Sequence, residues 1–318
     1  MAMTSFASCG MAVGHATDIA GATGCTVIRG IDAPFHCGVH VVGRATGTRE
    51  LALLDPSHLV DKVDAILLSG GSAYGIDAAA GVMRWMEAHG RGYPVGAGVV
   101  PIVPAAVIFD LAPLGRFDAR PTAQMAYDAC DSATPVAAEG SIGAGTGATV
   151  GKMAGAASSM KGGLGIGAAN AGEVQVCAVA VVNALGDVRD ASGAIIAGAR
   201  GNDGAFLDSA RRIAAGHGDA ETFEALAGRN TTICVVCTNA KLDRVEVSAL
   251  ARAAAAALYH RITPVATAFD GDVVFATAPV AGGVTASTSQ VEALAVIALE
   301  RAIERAVQTR DPGDTFHE

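Results

Sequence analysis

Thr231 follows Asn230 at a sharp change of character. A polar stretch ends in Gly228-Arg-Asn230, and Thr231-Thr-Ile-Cys-Val-Val-Cys237 is apolar and β-branched. A Thr hydroxyl is a weak nucleophile without a base beside it. One solution is the α-amino group of the same residue, when that residue is N-terminal. That amine has a pKa of roughly 7.7–8.0, so it is partly neutral near pH 7. To make such an end internally, the chain must cut itself before Thr231. Its Oγ attacks the Asn230 carbonyl, the acyl group moves from N to O, and water hydrolyses the ester. A long polar stretch upstream and a rigid strand downstream suit that step. β-Branched residues also begin ordinary strands. On these residues Thr231 is either the head of a buried strand or a nucleophile.

Other chemical motifs fail on their spacing. Gly143 to Lys152, GAGTGATVGK, resembles a phosphate loop. Such a loop needs Gly five residues before the Gly of Gly-Lys, then Ser or Thr. Thr146 and Met153 hold those places. The glycines imply tight turning or close backbone approach, and Lys152 closes the turn. Ser72 in LLSGGSAYG lacks the second Gly of a nucleophile elbow, because Tyr74 stands there. None of His15, His58, His89 or His260 is marked out as its base, and no metal-ligand spacing occurs. Cys234 and Cys237 spell CxxC inside an apolar run, where residues three apart face opposite sides of a strand. They read as packing.

The elements that must position these residues can be placed coarsely. Strands are expected at Thr26–Ile28, Val39–Val42, Ala65–Leu68, Pro104–Phe109, Val174–Val182, Thr231–Cys237, Pro264–Phe269 and Val273–Ala276. Helices are expected at Ile76–His89 with Gly90 as cap, at Thr122–Ala129, around Phe206–Ala215, over Arg244–Tyr259, and from Ser289 to about Thr309. For the last, Ser289 and Glu292 read as a capping box. The polar break from Gly198 to Asn230, with Arg200, Asp203, Asp208, Arg211, Arg212, His217, Asp219 and Glu221, is long enough to be a functional loop. Strands apolar on both sides alternate with Ala-rich helices. That pattern predicts stacked sheets covered by helices on both outer faces.

Composition narrows the partners. Only 17% of the 318 residues are charged, the net charge is −9, and no Lys/Arg stripe occurs. Nucleic acid and anionic membrane are therefore poor partners. Seven scattered cysteines fit reduced thiols in a cytosol. The N-terminal residues lack a basic segment followed by an apolar one, so no signal peptide is expected. Four prolines between Pro94 and Gly115 interrupt the longest weakly charged stretch. The expectation is a soluble cytoplasmic protein whose apolar composition is compatible with self-association.

In ordered blocks the sequence resembles the DmpA-type self-processing peptidases. These are the L-aminopeptidase/D-esterases, the β-peptidyl aminopeptidases and the endo-type 6-aminohexanoate-oligomer hydrolases. The blocks include VGHATD (13–18), GTRELALLDP (47–56), SGGSAYGIDAAAGVMRW (69–85), PIVPAAVIFD (101–110), GAGTGATVGK (143–152), MKGGLG (160–165), VVNALGDV (181–188), NTTI (230–233) and FDGDVVFA (269–276).

The resemblance implies a four-layer αββα sandwich, α/β in class and a single domain. It implies cleavage between Asn230 and Thr231 into 1–230 and 231–318, with Thr231 as nucleophile. It further implies that Asn183 offers an amide suited to an oxyanion hole, that Lys152 lies in the same site, and that Asp270 and Asp272 match the acidic pair of the oligomer hydrolases. The acidic pair can orient the Thr231 amine or a substrate amine. The plainer alternative for the same residues is an Asp-Gly-Asp turn without a role in the chemistry. Phe109 stands where many relatives carry Tyr, which places it at the substrate. Gly145 and its neighbouring glycines shape the cleft. No metal or organic cofactor is implied, and cleaved heterodimers are expected to assemble into homo-oligomers. The substrate would be a small peptide or amide, hydrolysed through an acyl-enzyme. Two competitors share the fold: an acyltransferase of the ornithine acetyltransferase type, and an uncleaved binding or scaffold protein.

Overall fold

The computed structural model describes residues 4–216 and 229–308. His217, Asp219, Glu221 and Gly228 fall outside the described residues, as does Thr309 at the end of the last helix. In chain order the main strands are Met11–Asp18 (β1), Thr23–Gly30 (β2), Phe35–Val41 (β3), Gly47–Arg49 (β4), Ala65–Ser69 (β5), Ala105–Val107 (β6), Gly163–Ala171 (β7), Val174–Asn183 (β8), Thr231–Thr238 (β9) and Val273–Pro279 (β10). They form two five-stranded sheets, ordered β1-β2-β5-β6-β4 and β7-β8-β9-β10-β3. Both run antiparallel, antiparallel, parallel, antiparallel across the sheet.

Strand alternation sorts the side chains into layers. Ile66 and Leu68 of β5 meet Val179 and Val181 of β8, Ile233 and Val235 of β9, and Phe275 of β10 between the sheets. Ala65 and Leu67 point the other way, against Val82, Trp85 and Met86 of helix α1 (Ala79–Ala88) and Ala126 and Cys130 of helix α2 (Ala123–Asp131). After the short helix α3 (Ser209–Ala214), three more helices, α4 (Arg244–Ala254), α5 (Ala256–Arg261) and α6 (Thr288–Gln308), cover the outer face of the second sheet. The architecture is therefore αββα. Cys237 lies in the layer between the sheets and Cys234 in the outer layer, so the two thiols of the CxxC face apart.

Small residues set the spacing of the outer layer. A Cβ on Gly165 of β7 would lie 2.1 Å from the Ala302 carbonyl oxygen, and one on Gly167 would lie 2.0 Å from that of Ala298. The Gly-rich strand and the Ala-rich face of α6 thus meet backbone to backbone, which close packing of this kind requires.

Several expected elements shift. The Ile76–His89 helix opens with a 3₁₀ turn, Ser72–Ala78, before α1, and Gly90 (φ +67°) closes it. The Arg244–Tyr259 helix divides at Ala255 into α4 and α5. Its start is a capping box of Asp243 and Glu246 that was not foreseen. The Ser289/Glu292 box does not form. Helix α6 already begins at Thr288, and the Ser287 hydroxyl accepts the Gln290 N–H at 3.3 Å. Pro264–Phe269 is not a strand. Its Ala266 and Thr267 amides donate to the carboxylates of Asp272 and Asp270, at 3.3 and 2.8 Å, and not to a ladder. Among the described residues, no helix is long and apolar enough to cross a membrane.

Candidate active site

Sheet register brings the chemical residues together. β8 and β9 pair antiparallel so that Asn183 stands opposite Thr231. β9 and β10 run parallel, with Asn230 bridged to Asp270 just before the ladder begins. Asp270 and Asp272 therefore flank the head of β10 beside the head of β9. Lys152 arrives from a turn made by Gly151 (φ +70°), whose Cβ would lie 2.0 Å from the Ala199 nitrogen. The Lys152 amide donates to the Leu185 carbonyl at 3.0 Å, which pins the turn beyond the end of β8.

All five side chains are withdrawn from water: Asn183 is 0% exposed, Asp272 1%, Asp270 2%, Thr231 3% and Lys152 5%. Burial of polar groups demands partners, and the partners are specific. Lys152 Nζ donates to Asn183 Oδ1 at 2.7 Å, to the Asn183 carbonyl at 3.0 Å and to the Arg229 carbonyl at 3.1 Å. Asn183 Oδ1 also accepts the Thr149 amide at 3.1 Å. Asn183 Nδ2 donates to the carbonyls of Phe109 (3.1 Å) and Arg229 (3.2 Å). Asp272 Oδ1 accepts the Thr232 amide at 2.6 Å. Asp270 Oδ2 accepts the Thr267 amide and hydroxyl at 2.8 and 2.7 Å.

The Thr231 hydroxyl donates to the carbonyl oxygen of Asn230 at 2.6 Å. That oxygen also accepts the Gly271 N–H at 2.8 Å. The nucleophile candidate thus sits against the carbonyl it would attack, with a backbone donor already on the oxygen where charge would develop. Gly271 is held close: a Cβ there would lie 2.6 Å from the Ala45 carbonyl oxygen and 2.7 Å from Thr231 Oγ1. Residues 42–45, following β3, clamp the main chain of the acidic turn. Val42 and Gly43 donate to the Asp272 carbonyl, and Arg44 and Ala45 to that of Asp270.

Electrostatics follow from burial. Desolvation pushes the Lys152 ammonium down to about 7, although Asp270 and Asp272 oppose the shift. Desolvation, followed by repulsion from Asp270, raises Asp272; its hydrogen bonds from Thr232 and Ala266 and the Lys152 charge pull the other way. Asp270 is also raised by desolvation, against the Thr267 bonds and Lys152. The cluster is poised to trade protons near neutral pH, as acid–base sites must.

Phe109 is half-buried, with its carbonyl on Asn183 and its ring 5.5 Å from the Arg229 guanidinium. Gly145 lies one layer back. Its Cβ would be 2.3 Å from the Leu164 nitrogen, and its carbonyl accepts Lys161 Nζ at 2.9 Å. It shapes the frame that carries Lys152. The GAGTGATVGK run forms a 3₁₀ turn and a short strand paired to Met160–Lys161. Ser72 (φ +52°) occupies a strand-to-helix turn. His15, His89 and His260 bond to Thr26, the Trp85 carbonyl and Glu300, and His58 stands 4.0 Å from Asp55.

Two contributors had no signal of their own. Gly271 acts through its amide, which no side chain advertises. Asp110, next to Phe109, is fully buried and accepts the Thr23 hydroxyl and the Gly71 amide, each at 2.6 Å. Desolvation pushes it up to about 6. It anchors the chain that presents the Phe109 carbonyl.

An αββα sandwich with this cluster at the head of a central strand is the frame of an N-terminal-nucleophile amide hydrolase. The chain belongs to peptidase family S58, which residues 9–312 match. It is 42% identical over 281 residues to an uncharacterised aminopeptidase of Mycobacterium leprae, covering 81% of this chain and 75% of that one. It is 31% identical over 276 residues to a 6-aminohexanoate-oligomer endohydrolase of Kocuria sp., covering 84% and 72%. The fold matches the Burkholderia sp. beta-aminopeptidase with a TM-score of 0.68 at 18% identity, over 96% of this chain and 87% of that one. It matches the L-aminopeptidase D-Ala-esterase/amidase of Ochrobactrum anthropi, described as a variant of the Ntn hydrolase fold, with a TM-score of 0.69 at 18% identity, over 96% and 86%. The protein is a peptide- or amide-bond hydrolase.

Proposed function

We propose that Thr231 is the nucleophile of this hydrolase and that the chain frees it by cutting itself between Asn230 and Thr231. The contact of Thr231 Oγ1 with the Asn230 carbonyl, backed by the Gly271 amide, carries this reading. In the first step Oγ bonds to the carbonyl carbon, and its proton passes to a raised carboxylate of the Asp270/Asp272 pair. The Gly271 N–H stabilises the oxyanion. The C–N bond then breaks, and the Thr231 nitrogen takes a proton. Water hydrolyses the resulting ester, leaving a carboxylate on Asn230 and a free hydroxyl and α-amine on Thr231. In the mature enzyme that amine is the base for its own hydroxyl. A substrate amide acylates Thr231, the leaving amine takes a proton, and water releases the acid. Lys152 balances the charge of the acid pair and keeps the Asn183 amide in place.

The two products would remain one particle. β9 belongs to the 231–318 piece and lies between β8 of the 1–230 piece and its own β10. Assembly of several such units in the cytoplasm is part of the same proposal. It is supported by the 17% charged composition and by seven free, buried thiols. N-terminal sequencing of the smaller fragment, run beside an amide-hydrolysis assay, tests the reading. The fragment should begin Thr-Thr-Ile-Cys, and activity should appear in step with it. Hydrolysis by a chain that stays whole would refute it.

A further inference from the structure

Cleavage changes what two buried donors can reach. Lys152 Nζ spends its three N–H groups on three oxygens, and Asn183 Nδ2 spends its two on two. Two of these bonds converge on one atom, the Arg229 carbonyl oxygen. That atom lies one residue upstream of the bond that Thr231 faces. The Asn230 carbonyl is held separately by Gly271. When the Arg229–Asn230 end is withdrawn, Lys152 and Asn183 each lose an acceptor. Buried donors are costly to leave unpaired.

We propose that Lys152 Nζ and Asn183 Nδ2 form an acyl-side subsite that takes a carbonyl oxygen one residue upstream of the scissile bond. The subsite favours internal or N-acylated amides over substrates with a free amine on the acyl residue. It rests on Thr231 being the nucleophile. The uncut chain is the first occupant of this subsite, and its side chain shows a second feature. The Arg229 guanidinium lies 5.5 Å from the Phe109 ring centre, within cation–π range. Phe109 therefore floors the subsite and prefers a cationic side chain there. Both oxygens of Asp272 accept main-chain amides, from Thr232 and Ala266, and Asp270 Oδ2 accepts the Thr267 amide, so the carboxylates are tied to their own turn and not to the Arg229 carbonyl.

The test uses enzyme whose smaller fragment has been sequenced from Thr231. A chain that stays whole fails at that point and removes the nucleophile reading, before any ligand is added. Binding of acetyl-Arg-Asn, acetyl-Ala-Asn and free Asn is then measured by calorimetry; these acids end at Asn and lack the bond that would lie at Thr231, and the recovered ligands are checked to be intact. Acetyl-Arg-Asn should bind at least about tenfold more tightly than Asn, the size of one charge-assisted hydrogen bond. Acetyl-Ala-Asn should fall between them. Phe109→Leu should erase the Arg-over-Ala step and keep the acetylated-over-free step. Equal or tighter binding of free Asn, or no binding of any of the three, overturns the subsite.

Discussion

At the scale of single residues, the site depends on a glycine. In Gly271→Ala the new Cβ would press on Thr231 Oγ1 and on the Ala45 carbonyl, at 2.7 and 2.6 Å before relaxation. Relief of such contacts moves the reacting atoms, and a misplacement of about 1 Å costs about 10²-fold when they must be aligned. Self-cleavage in Gly271→Ala, followed by gel over time, should slow by at least that factor while the far-UV spectrum stays native. Lys152→Met removes the donor to three oxygens and the cation facing two buried carboxylates. Breaking a buried charge cluster by removing one partner costs about 3–5 kcal/mol. The denaturant midpoint should drop accordingly, and the chain should stay uncut. Asn183, Lys152, Thr231, Asp270 and Asp272 were named from the sequence because family blocks carry their side chains. Gly271 sat inside one of those blocks without a role, because a backbone donor has no residue signature. Asp110 was missed because its partners, Thr23 and Gly71, are far away in sequence.

At the scale of elements, packing predicts where change is tolerated. Gly165→Ala on β7 would drive a Cβ to 2.1 Å from the Ala302 carbonyl and 2.3 Å from the Ala306 nitrogen. Overpacking of this kind costs about 1–3 kcal/mol. Thermal unfolding should report that loss, with self-cleavage at low temperature preserved. The β1–β2 pair holds His15, whose imidazole burial pushes down to about 4. In the unfolded chain it titrates near 6.5. The folded pKa is the lower one, so the unfolded state binds the extra proton between those values. Stability is therefore full above about pH 6.5 and falls as pH drops toward 4, by on the order of 1–2 kcal/mol, because the side chain is only half-buried. His15→Gln should flatten that part of the pH–stability curve. Strands buried on both faces, such as β5, β8 and β9, were legible as apolar runs. Pro264–Phe269 read as a strand for the same reason. It failed because Asp270 and Asp272, downstream, take its amides. The Ser289 cap missed by one or two residues, since Ser287, Thr288 and Ser289 are interchangeable to a pattern.

At the scale of the whole molecule, the four layers were legible in the alternation of double-sided strands with Ala-rich helices. The order of the second sheet was not, because β3 from the N-terminal part closes it beside β10. That closure matters for function: the loop after β3 clamps the acidic turn next to Thr231. It also ties the two proposed pieces together, since the 1–230 part supplies both outer neighbours of the β9–β10 pair. The cut protein should run as one species on size exclusion and separate only in denaturant. The measurement that bears most directly on the central claim is intact-mass spectrometry of the freshly purified and aged protein beside Thr231→Ala. The account predicts two masses that meet between Asn230 and Thr231 in the native sequence, and one undivided mass in the variant. A single undivided mass in both after long incubation, or cleavage that persists in Thr231→Ala, would contradict it.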